Sequence, residues 1–282
     1  NNQMKPQLVL TAHRGPVTSI QVSNQHVIAG SSDGTVSLHG KPDITYSHRL
    51  FGHVQRGISQ ICYFDNCVAI AADDCIALSD LSNNLLVKMQ TSSPAICVAM
   101  SQQHVVAGFA DASTRLYERA SGTEISIFRG HDSAILSVQI FNQIVISGGQ
   151  DGKVTFMNTN GMTLHTLRLK QPISSLKISP NGGVLAVFQL GQVDVFKIDL
   201  ADLKGIKLGR SRRFEGETRF LHQICFFGKK VVLGGAGKVF IYDFVANLVE
   251  EIAIPGQDFL GIDADETKIY VGSKQGRIWV IE

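Results

Sequence analysis

Apolar and polar residues alternate along this chain in short runs, and the runs come in pairs separated by a turn signal. Residues 148–158, GGQDGKVTFMN, place an Asp-Gly pair between two such runs. This arrangement is a strong signal for a β-hairpin. Six further segments repeat the pattern: GSSDGTVSLHG from Gly30, AADDCIALSD from Ala71, GFADASTRLYE from Gly108, VFQLGQVDVFK from Val187, GGAGKVFIYD from Gly234 and GSKQGRIWVIE from Gly272.

The seven copies recur at a nearly constant interval. A period near 40 in an all-β pattern is typical of propeller blades, four-stranded sheets that bury their faces only when neighbours stack against them. Gly dominates the turn positions because a two-residue loop needs a positive φ. Ala112 resists that conformation, so we expect a different or longer turn in the third copy. The turn positions are Gly34, Asp74, Ala112, Gly152, Gly191, Gly237 and Gly276, with intervals of 40, 38, 40, 39, 46 and 39 residues.

Another alternating or apolar segment precedes each hairpin. Because residues two apart share one face of a strand, the apolar hairpin residues are expected to face a neighbouring blade. We expect the preceding segments to be first strands that line a central channel. They read VTSIQV, ISQICYF, AICVAM, ILSVQI, ISSLKI, FLHQICF and FLGID.

The order of these segments resembles the WD-repeat family of β-propellers over nearly the whole chain. That family has Gly-His before the first strand, and this chain has Gly52-His53, Gly130-His131 and a near match at Ala12-His13. The family's Trp-Asp position holds no Trp in any copy, and Trp279 lies outside it. The resemblance implies an all-β propeller with imperfect repeats.

The resemblance also implies a hydrogen-bond network of His, Asp, Ser/Thr and Trp within each blade. From the sequence, this network is expected to be broken almost everywhere. Two copies are expected to keep only the His and Asp members, as His131 with Asp151 and as His13 with Asp33.

The last copy stops after its third strand, which would leave an unpaired sheet edge. Residues 7–13, QLVLTAH, read as an outer strand without a preceding hairpin. In WD-repeat propellers the N-terminal strand commonly completes the last blade. We therefore predict seven four-stranded antiparallel blades in one domain, residues 1–282, with a six-bladed ring as the alternative. The sequence is compatible with a piece of a longer protein.

Composition favours a folded protein and indicates neither a nucleic-acid-binding, a disulfide-rich, a zinc-binding nor a membrane-spanning chain. The 282 residues are 44% hydrophobic and 18% charged, and the formal net charge of +2 does not favour nucleic acid as a partner. The five cysteines form no CxxC pair, so neither a disulfide framework nor a zinc site is indicated. No apolar run reaches the length of a membrane span, and the N-terminus lacks the apolar stretch of a signal peptide. We expect a cytoplasmic protein, with the nucleus as the alternative compartment.

No motif indicates catalysis. GGAGK at 234–238 lacks the upstream Gly and the Ser/Thr of a phosphate-binding loop and fits a hairpin turn. Nine histidines show no zinc-ligand spacing, and no Ser or Cys lies in a nucleophile context. We expect no enzyme activity, no cofactor and no metal.

The interval of 46 residues is longer than the others and carries many basic residues. We interpret residues 200–220 as an enlarged loop, either a solvated connection or a site for an acidic peptide, a phosphate group or a membrane headgroup. The Phe-Arg-Arg-Gly motif of phosphoinositide-binding propellers is not reproduced, because the chain reads Arg-Arg-Phe-Glu-Gly at 212–216. The basic residues of this candidate site are Lys204, Lys207, Arg210, Arg212 and Arg213.

The resemblance implies that entry loops and hairpin turns share one rim, where propellers bind peptides and protein domains. Arginine and aromatic residues, which are enriched at binding hot spots, occur at these positions. Phe109 and Phe188 either plug the seam between blades or anchor a partner. We predict a non-enzymatic scaffold for other proteins. Phosphoinositide or acidic-membrane binding through the basic 204–219 loop is the alternative, and a propeller enzyme is the less favoured third interpretation. The candidate partner-binding residues are Arg14, Arg56, Phe109, Phe188, Arg219, Phe220, Phe259 and Lys274.

Overall fold

A computed structural model describes residues 4–41, 47–50, 54, 57–189, 192–200, 207–213, 221–235, 237–243 and 248–282. In these residues every regular element is a β-strand, and the strands form seven four-stranded antiparallel sheets. The prediction of seven blades is confirmed, and the six-bladed alternative is wrong.

Blades 1 to 4 follow one another along the chain after the separate strand β1 (Pro6–Thr11). Blade 1 contains β2 (Val17–Val22), β3 (His26–Ser31), β4 (Val36–Gly40) and β5 (Ser47–Leu50). Blade 2 contains β6 (Ile58–Phe64), β7 (Cys67–Ala72), β8 (Cys75–Asp80) and β9 (Leu85–Gln90). Blade 3 contains β10 (Ala95–Met100), β11 (His104–Phe109), β12 (Thr114–Glu118) and β13 (Glu124–Phe128). Blade 4 contains β14 (Ile135–Phe141), β15 (Ile144–Gly149), β16 (Lys153–Asn158) and β17 (Thr163–Arg168).

Blades 5 to 7 complete the molecule, and β1 is the fourth strand of blade 7. Blade 5 contains β18 (Ile173–Ile178), β19 (Val184–Gln189), β20 (Gln192–Lys197) and β21 (Lys207–Arg213). Blade 6 contains β22 (Leu221–Phe227), β23 (Lys230–Gly235), β24 (Lys238–Asp243) and β25 (Leu248–Ala253). Blade 7 contains β26 (Phe259–Ala264), β27 (Ile269–Ser273) and β28 (Arg277–Ile281) together with β1.

The seven first strands form a closed ring around the axis. Each of β2, β6, β10, β14, β18, β22 and β26 contacts the first strand of both neighbouring blades. The ring is closed by β1, which pairs antiparallel with β28 from Pro6 opposite Ile281 to Thr11 opposite Arg277. Beyond the strand, the backbone N–H of Lys5 donates to Glu282 O at 2.8 Å. The predicted closure by the N-terminal strand is confirmed.

Apolar side chains are buried in the seams between blades. Seven hydrophobic clusters fill the seven seams, each made of residues from two adjacent blades. Glycine at the end of a second strand allows the close approach, since a Cβ on Gly108 would lie 2.4 Å from Ile135 of the next blade. The expectation that the apolar face of each hairpin packs against a neighbouring blade is confirmed.

The expectation of a different or longer turn in the third copy is wrong. Ala112 has φ +66°, so the third blade has a left-handed turn residue like Gly34 and Gly152 rather than a different turn. The turn of blade 2 is the shorter one, because Ala71 pairs with Ile76 whereas Gly108 pairs with Thr114. Backbone hydrogen bonds at this turn, such as Phe109 N to Ser113 O at 3.0 Å, hold the third blade's hairpin in the strained form.

The interpretation of residues 200–220 as one enlarged loop is also wrong. Its middle forms β21, which pairs with β20 from Gln192 opposite Arg213 to Lys197 opposite Lys207. Blade 5 needs a fourth strand to match its neighbours, and this segment supplies it. Lys207, Arg210, Arg212 and Arg213 therefore lie on an outer strand, whereas Lys204 lies outside the described residues.

Candidate protein-binding rim

Entry loops and hairpin turns lie side by side at one end of the ring. In blades 1, 3 and 4 the turn after the second strand donates a backbone N–H to the blade's own entry loop: Ser32 to Pro16 O at 3.0 Å, Ala110 to Pro94 O at 3.1 Å and Gln150 to Ala134 O at 2.9 Å. In blade 7 the corresponding bond runs from Lys274 N to Asp258 O at 2.7 Å. In these four blades, backbone hydrogen bonds thus hold the turn against the entry loop.

In blade 4, His131 connects the entry loop to the hairpin. Its Nδ1 lies 2.9 Å from Asp151 Oδ1, and its Nε2 lies 2.9 Å from Ser147 Oγ. The Asp151 carboxylate also accepts backbone N–H bonds from Asp132 and Lys153. Burial alone would raise the pKa of Asp151, but the bond to His131 and the two N–H donors lower it overall. The expectation that this blade keeps only the His and Asp members is wrong, because Ser147 supplies the hydroxyl member.

Blade 1 contains a longer chain of hydrogen bonds. His13 Nδ1 lies 2.8 Å from Thr35 Oγ1, which donates to Asp33 Oδ1. His13 Nε2 lies 2.8 Å from Ser37 Oγ, and His39 Nε2 lies 2.8 Å from the same oxygen. One direction satisfies every bond: His39 donates to Ser37, Ser37 to His13, His13 to Thr35 and Thr35 to Asp33.

Ser37, His13 and Asp33 are the residue types of a hydrolytic triad, but they are not placed for catalysis. Ser37 is 3% exposed and His13 is 4% exposed, so a substrate does not reach the hydroxyl. A nucleophile must contact its substrate. The chain of bonds therefore joins the entry loop of blade 1 to its third strand.

Blade 3 has no histidine in this position, and Arg115 takes its place. Arg115 is 8% exposed, and its guanidinium bonds Asp111 Oδ2 at 2.8 Å and Ser113 Oγ at 3.1 Å. It also lies 4.4 Å from the ring centre of Phe109. A cation on the third strand thus replaces a histidine on the entry loop, which spacing along the sequence did not indicate.

The three predicted aromatic rim residues that the structure describes are buried. Phe109 is 0% exposed, and Phe188 and Phe259 are each 1% exposed. They lie in the hydrophobic clusters of the seams between blades 2 and 3, 5 and 6, and 6 and 7. Of the two alternatives for Phe109 and Phe188, the structure places them as plugs of the inter-blade seams.

Arg14 and Lys274 are exposed and lie on adjoining loops. The loop of Arg14 is bound to the turn of Lys274 through Gly276 O, which accepts the N–H of Ala12 at 3.0 Å and of His13 at 3.2 Å. On its other side the Arg14 N–H donates to Asp33 Oδ2 at 2.8 Å. Of the remaining predicted residues, Arg56, Arg219 and Phe220 lie outside the described part of the chain.

The Asp33 carboxylate orders this loop. Burial alone would raise its pKa, but hydrogen bonds from the Thr35 side chain and from the Arg14 and Thr35 N–H groups lower it to about 2. Asp33 is therefore ionised at neutral pH and holds the backbone that presents Arg14.

The described residues contain no group of three or more His, Cys, Asp or Glu side chains arranged to hold a metal ion. Nor does this part of the chain contain a helix long and apolar enough to cross a bilayer.

Comparisons with known proteins agree with the architecture. The family described as WD domain, G-beta repeat matches residues 4–39 and 122–156. No curated protein matches the sequence. The WD40 β-propeller domain of Doa1 superposes with a TM-score of 0.83 at 16% identity, covering 99% of this chain and 97% of that one.

A computationally designed protein, Ika8, superposes with a TM-score of 0.73 at 19% identity, covering 97% of this chain and 99% of that one. At these identities the two structures show a shared fold alone. Two segments of this chain therefore match the WD-repeat family, and the seven blades with their closing strand give the chain a β-propeller fold.

Proposed function

We propose that this chain is a non-enzymatic scaffold that captures a protein partner on the rim sector formed by blades 7 and 1. WD-repeat propellers are generally protein-interaction scaffolds, and function on a shared fold resides in particular surface residues. The observation that carries the proposal is the pair Arg14 and Lys274, two exposed cations on loops that backbone bonds hold together. A partner meets them without first ordering a loop, which favours affinity.

The test is quantitative affinity capture with the double variant Arg14→Ala/Lys274→Ala. We expect the captured partner to fall about tenfold, because charged hot-spot residues are costly to truncate. The matched control is Lys197→Ala/Lys229→Ala, which removes the same charge from exposed positions at the opposite end of the ring. Equal loss in both variants, or none in either, contradicts the proposal.

A second candidate function is binding to acidic membranes or phosphoinositides. The observation that favours it is the position of Lys207, Arg210, Arg212 and Arg213 in one seven-residue outer strand. Several cations close together bind anionic lipid in a salt-dependent way. Flotation with phosphatidylserine vesicles at low salt tests it, with Arg210→Ala/Arg212→Ala/Arg213→Ala as the variant. Absence of binding by the unaltered protein contradicts it.

A further inference from the structure

We propose that a cavity between blades 6 and 7 on the same rim receives an arginine side chain of the bound protein, an inference that rests on the rim function proposed above. The cavity has a volume of about 410 Å³. Gly237 and Lys238 line one side, and Ala253 and residues 255–258 line the other. This volume lies at the small end of ligand sites and suits one long side chain.

Two backbone carbonyl oxygens lie beside Gly237, which lines the cavity. Carbonyl oxygens of Gln257 and Ile254 face Gly237, where a Cβ would lie 3.1 and 3.3 Å from them. The Lys238 ammonium is already paired with Glu251 at 2.7 Å. Asp258 is exposed, and its carboxylate has no ion-pair partner in the described residues. The unbalanced charge of the lining is therefore negative.

Gln257 carries an acceptor that lacks a donor. The residue is 8% exposed, its Oε1 has no hydrogen-bond partner among the residues that the structure describes, and its Nε2 donates to Gly256 O at 3.0 Å. Gln275 Nε2 also donates to Gly256 O, at 3.3 Å. Because Gln257 lines the cavity, a donor that enters the cavity and reaches Oε1 satisfies this acceptor.

Arginine fits this set of acceptors better than lysine. A guanidinium offers five N–H donors in one plane, so it can bond a carboxylate through two of them and an amide oxygen through a third. A lysine ammonium has three donors and no planar fork. Lys274 is not a lining residue, and the bond it makes to Asp258 is from its backbone N–H to the Asp258 carbonyl oxygen, not to the carboxylate.

The test is an NMR titration of the whole chain with N-acetyl-arginine N-methylamide. We expect saturable shifts of the Gly237 and Gly256 amides and of the Gln257 side-chain NH₂. The lysine analogue is expected to bind about tenfold more weakly, because it lacks the fork. The citrulline analogue, which is neutral, is expected to cause no saturable shift. Absence of saturation with the arginine probe, or equal affinity for citrulline, overturns the proposal.

Gln257→Met separates a binding role from a structural one. We expect about tenfold weaker arginine binding with an unchanged or higher Tm, because the variant removes a buried unpaired acceptor. Gln171→Met, the same substitution in the entry loop of blade 5, is the matched control and keeps full affinity. Unchanged affinity in Gln257→Met overturns the cavity assignment. If Arg14→Ala/Lys274→Ala loses the partner while Gln257→Met does not, the rim function stands and the cavity proposal alone fails.

Discussion

The Nε2 of His13 lies 2.8 Å from the Oγ of Ser37, which places the hydroxyl partner of this histidine on the third strand of its blade. In blade 4 the corresponding hydroxyl is Ser147, on the second strand. Ser37 pairs across the ladder with Ala29, and Ser147 pairs with Thr155. These two cross-strand pairs are equivalent in the two blades. The hydroxyl that bonds the histidine is on the third-strand residue of the pair in blade 1 and on the second-strand residue in blade 4.

The buried His39 makes stability depend on pH. Burial, with the nearby His13, lowers its pKa from 6.5 to about 4, so the unfolded chain takes up this proton first as the pH falls. We expect the free energy of unfolding to fall by about 3 kcal/mol between pH 6.5 and 4 on account of this group. Urea denaturation at several pH values measures it.

His39→Leu is the variant for this measurement. At pH 7 we expect it to be about 1 kcal/mol less stable than the unaltered protein, because Ser37 loses a hydrogen bond. Near pH 4 we expect the variant to be the more stable of the two proteins, because leucine has no imidazole that is protonated more readily in the unfolded chain than in the fold. Parallel stability curves for the two proteins contradict the assignment.

Ala112 stores backbone strain at φ +66°. Ala112→Gly is expected to raise the free energy of unfolding by about 1 kcal/mol, because glycine adopts this conformation without a clash of its Cβ. Gly152→Ala is the reverse experiment at the same position of blade 4, where φ is +75° and a Cβ would lie 2.8 Å from Leu169 O. It is expected to lower stability, and a stabilising effect there contradicts the interpretation of both turns.

Phe109 is expected to stabilise the fold rather than to contact a partner. Phe109→Ala leaves a cavity in the seam below Arg115 and is expected to cost about 3–5 kcal/mol. Arg14→Ala, at an exposed rim position, is expected to change stability by less than about 0.5 kcal/mol. Thermal unfolding of both variants measures the contrast, and similar Tm values contradict it.

The architecture could be predicted from the sequence because it depends on local signals. Each hairpin encodes its own turn and alternation, seven copies set the ring size, and the orphan strand at residues 7–13 indicated the closure. Ring closure follows from edge pairing, which needs no knowledge of side-chain contacts.

The rim chemistry could be predicted only in part, since it depends on contacts between strands. Ser37 lies on the third strand and bonds a histidine of the entry loop. Arg115 lies on the third strand and bonds Asp111 of the hairpin turn without any histidine. No fixed spacing to a histidine therefore identifies either residue. Burial of Phe109 depends on the neighbouring blade, which a repeat alignment does not show. The strand β21 was missed because four of its seven residues are basic, so it lacks the run of apolar residues that indicated the strand at residues 7–13.

Hydrogen–deuterium exchange of the chain, alone and with its captured partner, locates the partner on the ring. We expect the partner to slow exchange at residues 12–16 and 273–276, the two loops that carry Arg14 and Lys274, and to leave the turns at 101–103 and 228–229 unchanged. Protection confined to those turns at the opposite end of the ring would contradict this expectation.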